Sequence, residues 1–325
     1  MALSIRALSG TPVSLTLSSL VVASLASMPV MASENGQIHY PVGVNTIMNA
    51  ALPAPGETGF YLYNQYYEST RLNDRNGKSI DPDFKAEVYA VVPRLIHTWN
   101  EPIGPFSISS GIILPMTRVD LKAFGRKDTS TGFGDPVLSP IYFNYVNSTG
   151  TFFAYGGPEI YVPIGKYDKD RLANNGLNYW TIAPSVSATW LPTPRWELSA
   201  TLYPEFNFKN KDTDYHSGNS VTFDFDVAYR PFTALPKLKV AVQGFAMKQY
   251  TDDRQFGEDV PGGNRGRAFG LGPQVSYDIA GVGAVLVKYQ KEFGVENRAS
   301  GNRFWFELAL PLRKSFQNKK THLEV

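Results

Sequence analysis

The chain has 325 residues and a formal net charge of +2, because 31 Lys and Arg are balanced by 29 Asp and Glu. This near-neutral balance argues against a nucleic-acid partner, which would select a basic surface. The sequence contains no Cys, so disulfide scaffolds, thiol catalysis and thiolate metal sites are excluded.

Residues 1–32 have the pattern of a secretory signal peptide. A single charge, Arg6, precedes an apolar run, and the segment ends in Val30-Met31-Ala32, with small residues at the −3 and −1 positions of a cleavage site. After Ala32 no apolar run reaches the ~18 residues that a membrane-spanning helix needs. A secreted chain with 13% aromatic residues and no such helix is either periplasmic or a β-barrel.

Alternation with a period of two favours the barrel. Between Arg195 and Lys209, apolar and polar residues alternate over fifteen positions, which is longer than the ~5–6 residues of a soluble strand. Trp180 and Trp190 lie ten positions apart on one apolar face. Ten residues at ~3.3 Å, tilted by ~40°, rise about 25 Å, the height of a barrel's apolar band. We therefore expect the apolar face to contact lipid and the polar face to line a lumen.

The turn signals predict an all-β fold, a transmembrane antiparallel up-and-down β-barrel of about 12 strands within residues 58–316. The predicted strands are 58–70, 85–99, 105–117, 135–147, 151–165, 178–191, 195–209, 220–231, 237–250, 267–279, 282–293 and 302–314. Short turns alternate with longer polar connections, as in outer-membrane barrels, whose longer loops are external. The predicted long loops are 71–84, 118–134, 166–177, 210–219, 251–266 and 294–301. Residues 317–325 form a C-terminal tail.

Residues 33–57 do not follow the strand pattern. They are mildly apolar and interrupted by Pro and Gly, and they are too short for a domain. Two interpretations stay open at this point. The segment is either a periplasmic lead-in peptide or a plug folded back into the lumen.

Three motifs resemble the outer-membrane channel family named for the meta-pathway of phenol degradation. They are Gly132-Phe133-Gly134-Asp135-Pro136, the stretch from Gly157 to Tyr167, and Asp252-Asp253. The resemblance covers essentially the whole chain after residue 32. It implies a twelve-stranded monomer with a narrow lumen, an N-terminal segment inside it, and transport of small hydrophobic compounds. One departure is that the chain continues past Phe316, whereas such barrels commonly end on an aromatic residue.

Projection of the strands predicts a set of pore-lining side chains that point inward. They are Arg94, Tyr155, Glu159, Tyr161, Glu205, Asp224, Asp226, Arg230, Lys239, Gln243, Lys288 and Glu307. Both charge signs are interleaved, whereas a strong ion filter needs a ring of one sign. The charges either pair across the barrel and stiffen it, or close the lumen to a small, weakly selective path. Phe153, Tyr203 and Phe245 also project inward, which suits an amphipathic or aromatic solute.

Five prolines project outward from within the predicted strands. They are Pro93, Pro158, Pro184, Pro204 and Pro273. Proline removes a ladder donor, so we expect local bulges in the wall at these positions. A sharper hypothesis is that the prolines weaken the wall enough to open a lateral exit into lipid.

An enzyme is the rival class, since some outer-membrane barrels are lipases or proteases. Of the four histidines, His39 precedes the barrel, His97 projects toward lipid and His322 lies in the tail. Only His216, near Asp214 and Ser217, could serve a surface triad, but sequence neighbours do not make one. Asp168 and Asp170 form a weak calcium motif. We predict no catalytic residue, no metal site and no cofactor.

The sequence thus predicts a bacterial outer-membrane channel for passive uptake or export of small, hydrophobic or aromatic molecules. The expected partners are outer-membrane lipid, the barrel-insertion machinery during biogenesis and a small-molecule permeant, and the expected state is a monomer. The alternatives are a barrel enzyme of the lipase or protease type and a structural or adhesive surface barrel.

Overall fold

The computed structural model describes residues 36–280 and 282–312, which form a closed antiparallel β-barrel of twelve wall strands. The predicted signal peptide (1–32), Phe316, His322 and the predicted tail (317–325) lie outside the described residues. In the described part of the chain, no helix is long and apolar enough to cross a membrane.

The described residues contain seventeen strands. Fourteen of these strands make up the twelve wall strands of the barrel. The strands are β1 (Thr58–Leu72), β2 (Lys85–Thr98), β3 (Ser107–Ile113), β4 (Met116–Ala123), β5 (Arg126–Phe133), β6 (Val137–Val146), β7 (Phe152–Tyr161), β8 (Thr181–Trp190), β9 (Trp196–Asn207), β10 (Tyr215–His216), β11 (Ser220–Tyr229), β12 (Leu238–Gln249), β13 (Arg254–Gln255), β14 (Glu258–Asp259), β15 (Arg267–Ile279), β16 (Gly283–Glu296) and β17 (Ala299–Leu312). Strands β3 and β4 together make the third wall strand, and β5 and β6 make the fourth. Strands β10, β13 and β14 form a separate small sheet in the loops.

Pairing between the first and last strands closes the barrel. Strand β1 is hydrogen-bonded to β2 on one side and to β17 on the other, and both pairings are antiparallel. The remaining wall strands pair with their neighbours along the chain. Closure leaves no open sheet edge, which is the condition for a β-structure to span lipid.

Side-chain burial follows the predicted alternation, with polar residues inside and apolar residues outside. Along β8, Ser185 and Ser187 are buried, whereas Val186 and Trp190 are exposed by 55% and 50%. A soluble sheet would bury its apolar face instead. The arrangement therefore confirms the predicted barrel, with an apolar outer surface and a polar interior.

The predicted loop 118–134 is wrong, because this segment extends two wall strands. Strands β4 and β5 form a hairpin closed by Phe124 and Gly125, which have φ angles of +50° and +74°. The predicted strand 105–117 accordingly continues to Ala123, with a break after Ile113. The charged residues of this hairpin resembled a solvated loop, although Val119 and Leu121 keep the inward alternation.

The predicted loop 294–301 is also wrong. Strand β16 continues to Glu296 and β17 begins at Ala299, so only Asn297 and Arg298 form the turn. Asn297 has a φ of +53°, a conformation that asparagine tolerates better than most residues. The four remaining long connections are 73–84, 162–180, 208–219 and 250–266, and they share one end of the barrel with the two hairpin turns. We call this the long-loop end and the opposite one the short-turn end.

The five strand prolines lie where the wall ladder is interrupted. Between β6 and β7 the register shifts from Leu138 to Phe143, opposite Pro158. Between β8 and β9, pairing stops at Ile182 and resumes at Val186. The interrupted intervals contain Pro93, Pro158, Pro184, Pro204 and Pro273. The absent proline N–H accounts for these gaps, since it cannot donate to a neighbouring strand.

Candidate functional site

Residues 38–56, here called the inner segment, lie against the inward-facing side chains of the barrel. Tyr40, Val42 and Val44 are exposed by 3%, 1% and 9%, and they share one apolar cluster with wall residues such as Phe245 and Trp305. Burial of these side chains removes apolar surface from water. Of the two interpretations of this region, the described contacts agree with a segment folded into the barrel.

Asp224 holds the first turn of the inner segment. Its carboxylate accepts hydrogen bonds from the Tyr40 hydroxyl at 2.6 Å and from the backbone N–H groups of Gly43 at 2.9 Å and Asn45 at 3.1 Å. Gly43 has a φ of +81°, and a Cβ there would collide with the Gln290 side chain. The turn therefore needs both a glycine and a buried acceptor.

A second group of contacts holds the following residues of the inner segment. The Lys288 ammonium donates to the Val44 carbonyl at 2.7 Å and to the Thr46 hydroxyl at 3.1 Å, and it pairs with Glu307 at 2.8 Å. The backbone N–H of Met48 donates to Glu197 at 2.5 Å. Buried backbone groups of an irregular segment need such partners, and here charged wall residues supply them.

His39 joins the inner segment to the glycine-rich motif of the fourth wall strand. One imidazole nitrogen is 3.1 Å from Asp135 and the other is 2.8 Å from the Thr181 hydroxyl, while the ring stacks on Tyr161 with centroids 4.5 Å apart. Asp135 also accepts the backbone N–H of Leu177 at 2.7 Å. This role of His39 and Asp135 was not predicted from the sequence, in which the resemblance of the motif to a known family was the one signal that marked Asp135.

A network of tyrosines surrounds a buried ion pair next to the inner segment, whose Tyr40 ring stacks on Tyr203 with centroids 3.9 Å apart. Arg94 donates to the Tyr142 hydroxyl at 3.0 Å and lies 3.5 Å from Glu159. Glu159 also accepts a hydrogen bond from the Tyr203 hydroxyl at 2.6 Å, which lies 2.8 Å from the Tyr161 hydroxyl. The carboxylate and its phenol partners form a polar belt, in which the Tyr203 hydroxyl is shared between Glu159 and Tyr161.

Eleven of the twelve predicted inward residues are buried within the barrel. They are Arg94, Tyr155, Glu159, Tyr161, Glu205, Asp224, Asp226, Lys239, Gln243, Lys288 and Glu307. Arg230 is the exception, since it follows the end of β11 and donates to the Pro194 carbonyl at 3.1 Å in the adjoining turn. Lys239 pairs with Glu197 at 3.1 Å, a partner that the projection omitted although it lies on the polar face of β9.

Toward the long-loop end, a further buried cluster also escaped the sequence analysis. The Arg303 guanidinium pairs with Glu292 and lies over the Tyr67 ring, 4.7 Å from its centroid. Glu292 in addition accepts the Tyr67 hydroxyl at 3.2 Å. These three side chains lie on three adjacent strands, so only the strand register could have brought them together.

Space remains between the inner segment and the wall on the side of β1 and β2. A cavity of about 190 Å³ is bordered by the inner segment and by the apolar side chains Val88, Val92, Ile113 and Val137. A cavity of about 240 Å³ adjoins it toward the long-loop end, and one of about 280 Å³ adjoins it toward the short-turn end. Arg94 borders both the middle cavity and the one at the short-turn end.

His97 and His216 lie outside the inner segment, one on the outer face of the wall and the other in a long connection. His97 faces outward against Trp99, with ring centroids 4.8 Å apart, and its other neighbour is the Thr58 hydroxyl at 2.9 Å. His216 lies 2.8 Å from the Asn207 carbonyl rather than bonding to Asp214. Among the described residues, no group of three or more His, Asp or Glu side chains could hold a metal ion.

A known protein family matches most of the chain. The family described as "Putative MetA-pathway of phenol degradation" matches residues 69–308. The chain belongs to this family. No curated protein sequence matches the chain.

A solved outer-membrane channel shares the fold of this barrel. The COG4313 outer membrane channel from Pseudomonas putida F1 superposes with a TM-score of 0.71 at 16% identity, over 81% of this chain and 97% of that one. The β domain of the Bordetella autotransporter BrkA gives a TM-score of 0.48 at 11% identity, over 79% and 99%. A Pseudomonas aeruginosa FadL homologue gives 0.41 at 8% identity, over 87% and 98%. At 16% identity, the likeness to the Pseudomonas putida channel describes the fold alone.

Proposed function

We propose that this protein is an outer-membrane channel through which small molecules diffuse passively in either direction. The observation that carries the proposal is the closed barrel whose lumen holds the inner segment on buried charges, above all Asp224 and Lys288. The cavities beside the inner segment leave a path through the lumen, here called the residual path. Family membership and the likeness to the Pseudomonas putida channel support the same function.

In this proposal the long-loop end is external, the outer face contacts lipid, and one chain forms the complete channel. The twelve buried or rim side chains predicted from the sequence border the lumen, with Arg230 at its periplasmic mouth. The barrel closes on itself within a single chain, so no second copy is needed to complete the wall. Insertion would require the barrel-insertion machinery during biogenesis.

The chemistry of the residual path favours permeants with an apolar body. Val88, Val92 and Val137 border the middle cavity, and Arg94 stands where that cavity adjoins the one at the short-turn end. A small aromatic solute would replace water along this apolar surface. A strongly hydrated ion would lose hydration there, while the bordering charges of Arg94 and Glu159 are already paired with each other. The proposed permeants are therefore small hydrophobic or aromatic molecules.

Deletion of residues 38–56 tests the proposal directly. The deletion removes the inner segment and leaves β1 and all wall strands intact, so the barrel should still fold and insert. Single-channel conductance in planar bilayers should rise severalfold, because the lumen loses its filling. Heat-modifiable migration on a gel checks that the deleted chain is folded. A folded, inserted deletion chain that conducts as the parent does would remove the main support for a narrowed channel.

A further inference from the structure

Three lysines occupy directly opposed positions on the outer face at the long-loop end. Lys85 of β2 is in register with Lys122 of β4, which is in register with Lys127 of β5. The side chains of Lys85 and Lys122 are exposed by 58% and 45%, and Lys127 is also exposed. We call these three residues the lysine row. Like charges directly opposite one another destabilise a sheet. The carboxylates Glu68, Glu87 and Asp120 are in register two positions closer to the middle of the wall, and they offset part of this repulsion.

The neighbouring carboxylates do not neutralise the whole lysine row. Glu87 pairs with Lys85 at 2.9 Å and accepts the Tyr66 hydroxyl at 3.1 Å. Asp120 accepts hydrogen bonds from Nε and Nη2 of Arg118, at 2.9 and 3.1 Å.

The other two lysines have weaker partners or none. Lys122 reaches Asp83 at 3.8 Å, a long contact in which Asp83 is 74% exposed. Within the part of the chain that the structure describes, no carboxylate forms an ion pair with Lys127. Lys122 and Lys127 thus leave two ammonium groups available for an external anion.

A row of aromatic rings fixes the depth of the lysine row relative to lipid. Tyr89, Tyr66, Phe304 and Tyr289 lie on four adjacent strands, with successive ring centroids 4.6, 6.3 and 4.9 Å apart. Such aromatic girdles lie at the interface between the apolar band and the headgroups. Lys85 is four residues beyond Tyr89, or roughly 10 Å along the barrel axis at ~3.3 Å per residue and a ~40° tilt. The ammonium groups therefore lie at headgroup level, above the apolar band.

We propose that the lysine row is a binding site for the phosphate groups of a phosphorylated glycolipid in the outer leaflet. Lipid acyl chains would cover the apolar band below the aromatic row, and the headgroup phosphates would reach Lys122 and Lys127. Ammonium–phosphate hydrogen bonds would then relieve the repulsion between the opposed lysines. This inference rests on the proposed outer-membrane placement, and it adds a specific lipid partner that transport itself does not require.

Lipid binding to the detergent-purified full chain tests the inference. Fluorescent bis-phosphorylated lipid A is titrated against the parent, and the same lipid after phosphatase treatment serves as the reference probe. The variant Lys85→Gln/Lys122→Gln/Lys127→Gln should bind the phosphorylated lipid on the order of tenfold more weakly, because charge-assisted contacts are lost at an exposed site. The matched control, Lys169→Gln/Lys209→Gln/Lys211→Gln, removes equal charge from other exposed loop positions and should bind as the parent does.

Three results would overturn the inference. The parent could bind the phosphatase-treated lipid as tightly as the phosphorylated one, or both triple variants could lose affinity equally, which would indicate a net-charge effect. Displacement of the lipid by low concentrations of inorganic phosphate would identify a phosphate site rather than a lipid site. The lysine-row variant should keep the parent's conductance, so a failure of the channel proposal would appear in a different measurement.

Discussion

Asp224 is the residue on which the position of the inner segment depends most. Its carboxylate accepts three hydrogen bonds from that segment, two of them from backbone N–H groups. Asp224→Ala would leave those buried donors without partners, at about 1–3 kcal/mol each. We expect the segment to detach part of the time, so that single-channel recordings show larger and more variable conductance.

Asp226→Ala provides the matched control for that change. Asp226 lies two positions further along the same inward face of β11 and is 1% exposed, and the described hydrogen bonds of the inner segment do not include it. The control should fold and conduct with the parent's steady, low conductance. Equal conductance changes in both variants would show that the lumen responds to any lost carboxylate rather than to release of the segment.

A single substitution at Val186 tests whether the outer face of the barrel contacts the bilayer core. It is 55% exposed and lies between Trp180 and Trp190, near the middle of the apolar band. Val186→Arg should destabilise the barrel by ~2–4 kcal/mol, because a charge at the bilayer midplane has no water or partner. Denaturant titration in lipid vesicles measures the difference.

Val240 offers the same substitution at the edge of the band. It is 38% exposed on the outer face of β12 and is in register with Tyr229, whose ring lies beside Trp196 at the short-turn end, where headgroups can solvate a guanidinium. Val240→Arg should cost only ~0–1 kcal/mol. If both substitutions destabilise the barrel equally, the depth assigned to these two valines is wrong.

At the scale of elements, the two ends of the barrel differ in their connections. Asn76 and Asp170 are exposed in the loops 73–84 and 162–180, whereas Thr193 is exposed in the short turn between β8 and β9. The chain has no native Cys, so a single introduced thiol can be labelled without background. On intact cells, a membrane-impermeant thiol reagent should modify Asn76→Cys and Asp170→Cys but not Thr193→Cys. Labelling of Thr193→Cys alone would reverse the orientation of the barrel.

The wall strands could be predicted because alternation is a local property. Strand β15 was predicted with its observed bounds, Arg267–Ile279, since polar and apolar residues alternate across its whole length. The β4–β5 hairpin was missed because it rises beyond the apolar band, where outward positions such as Lys122 and Lys127 carry charge. Alternation of hydropathy marks the part of a strand that faces lipid, and it loses contrast where the strand faces water.

At the scale of the whole molecule, the interior could be predicted only in part. Projection from alternation correctly gave the side of the wall for Asp224 and Lys288, but it could not give their partners. The bond from Asp224 to Tyr40 joins positions separated by 184 residues, and that from Lys288 to Val44 spans 244. Such pairs follow from barrel closure and from the path of the inner segment, neither of which leaves a periodic signal in the sequence.

A covalent tether between the inner segment and the wall distinguishes passage beside the segment from passage that requires its departure. The backbone N–H of Ala50 lies 3.3 Å from the Thr189 hydroxyl on β8, away from the cavities along β1 and β2. The pair Ala50→Cys/Thr189→Cys should therefore form a disulfide that tethers the segment to the wall without narrowing the residual path. We expect vesicles containing the oxidised protein to take up phenol at the rate of the reduced protein, with each single-cysteine variant as a control for oxidation. If oxidation blocks uptake and a reductant restores it, the inner segment must leave its place for each passage, and the cavities beside it are not the route.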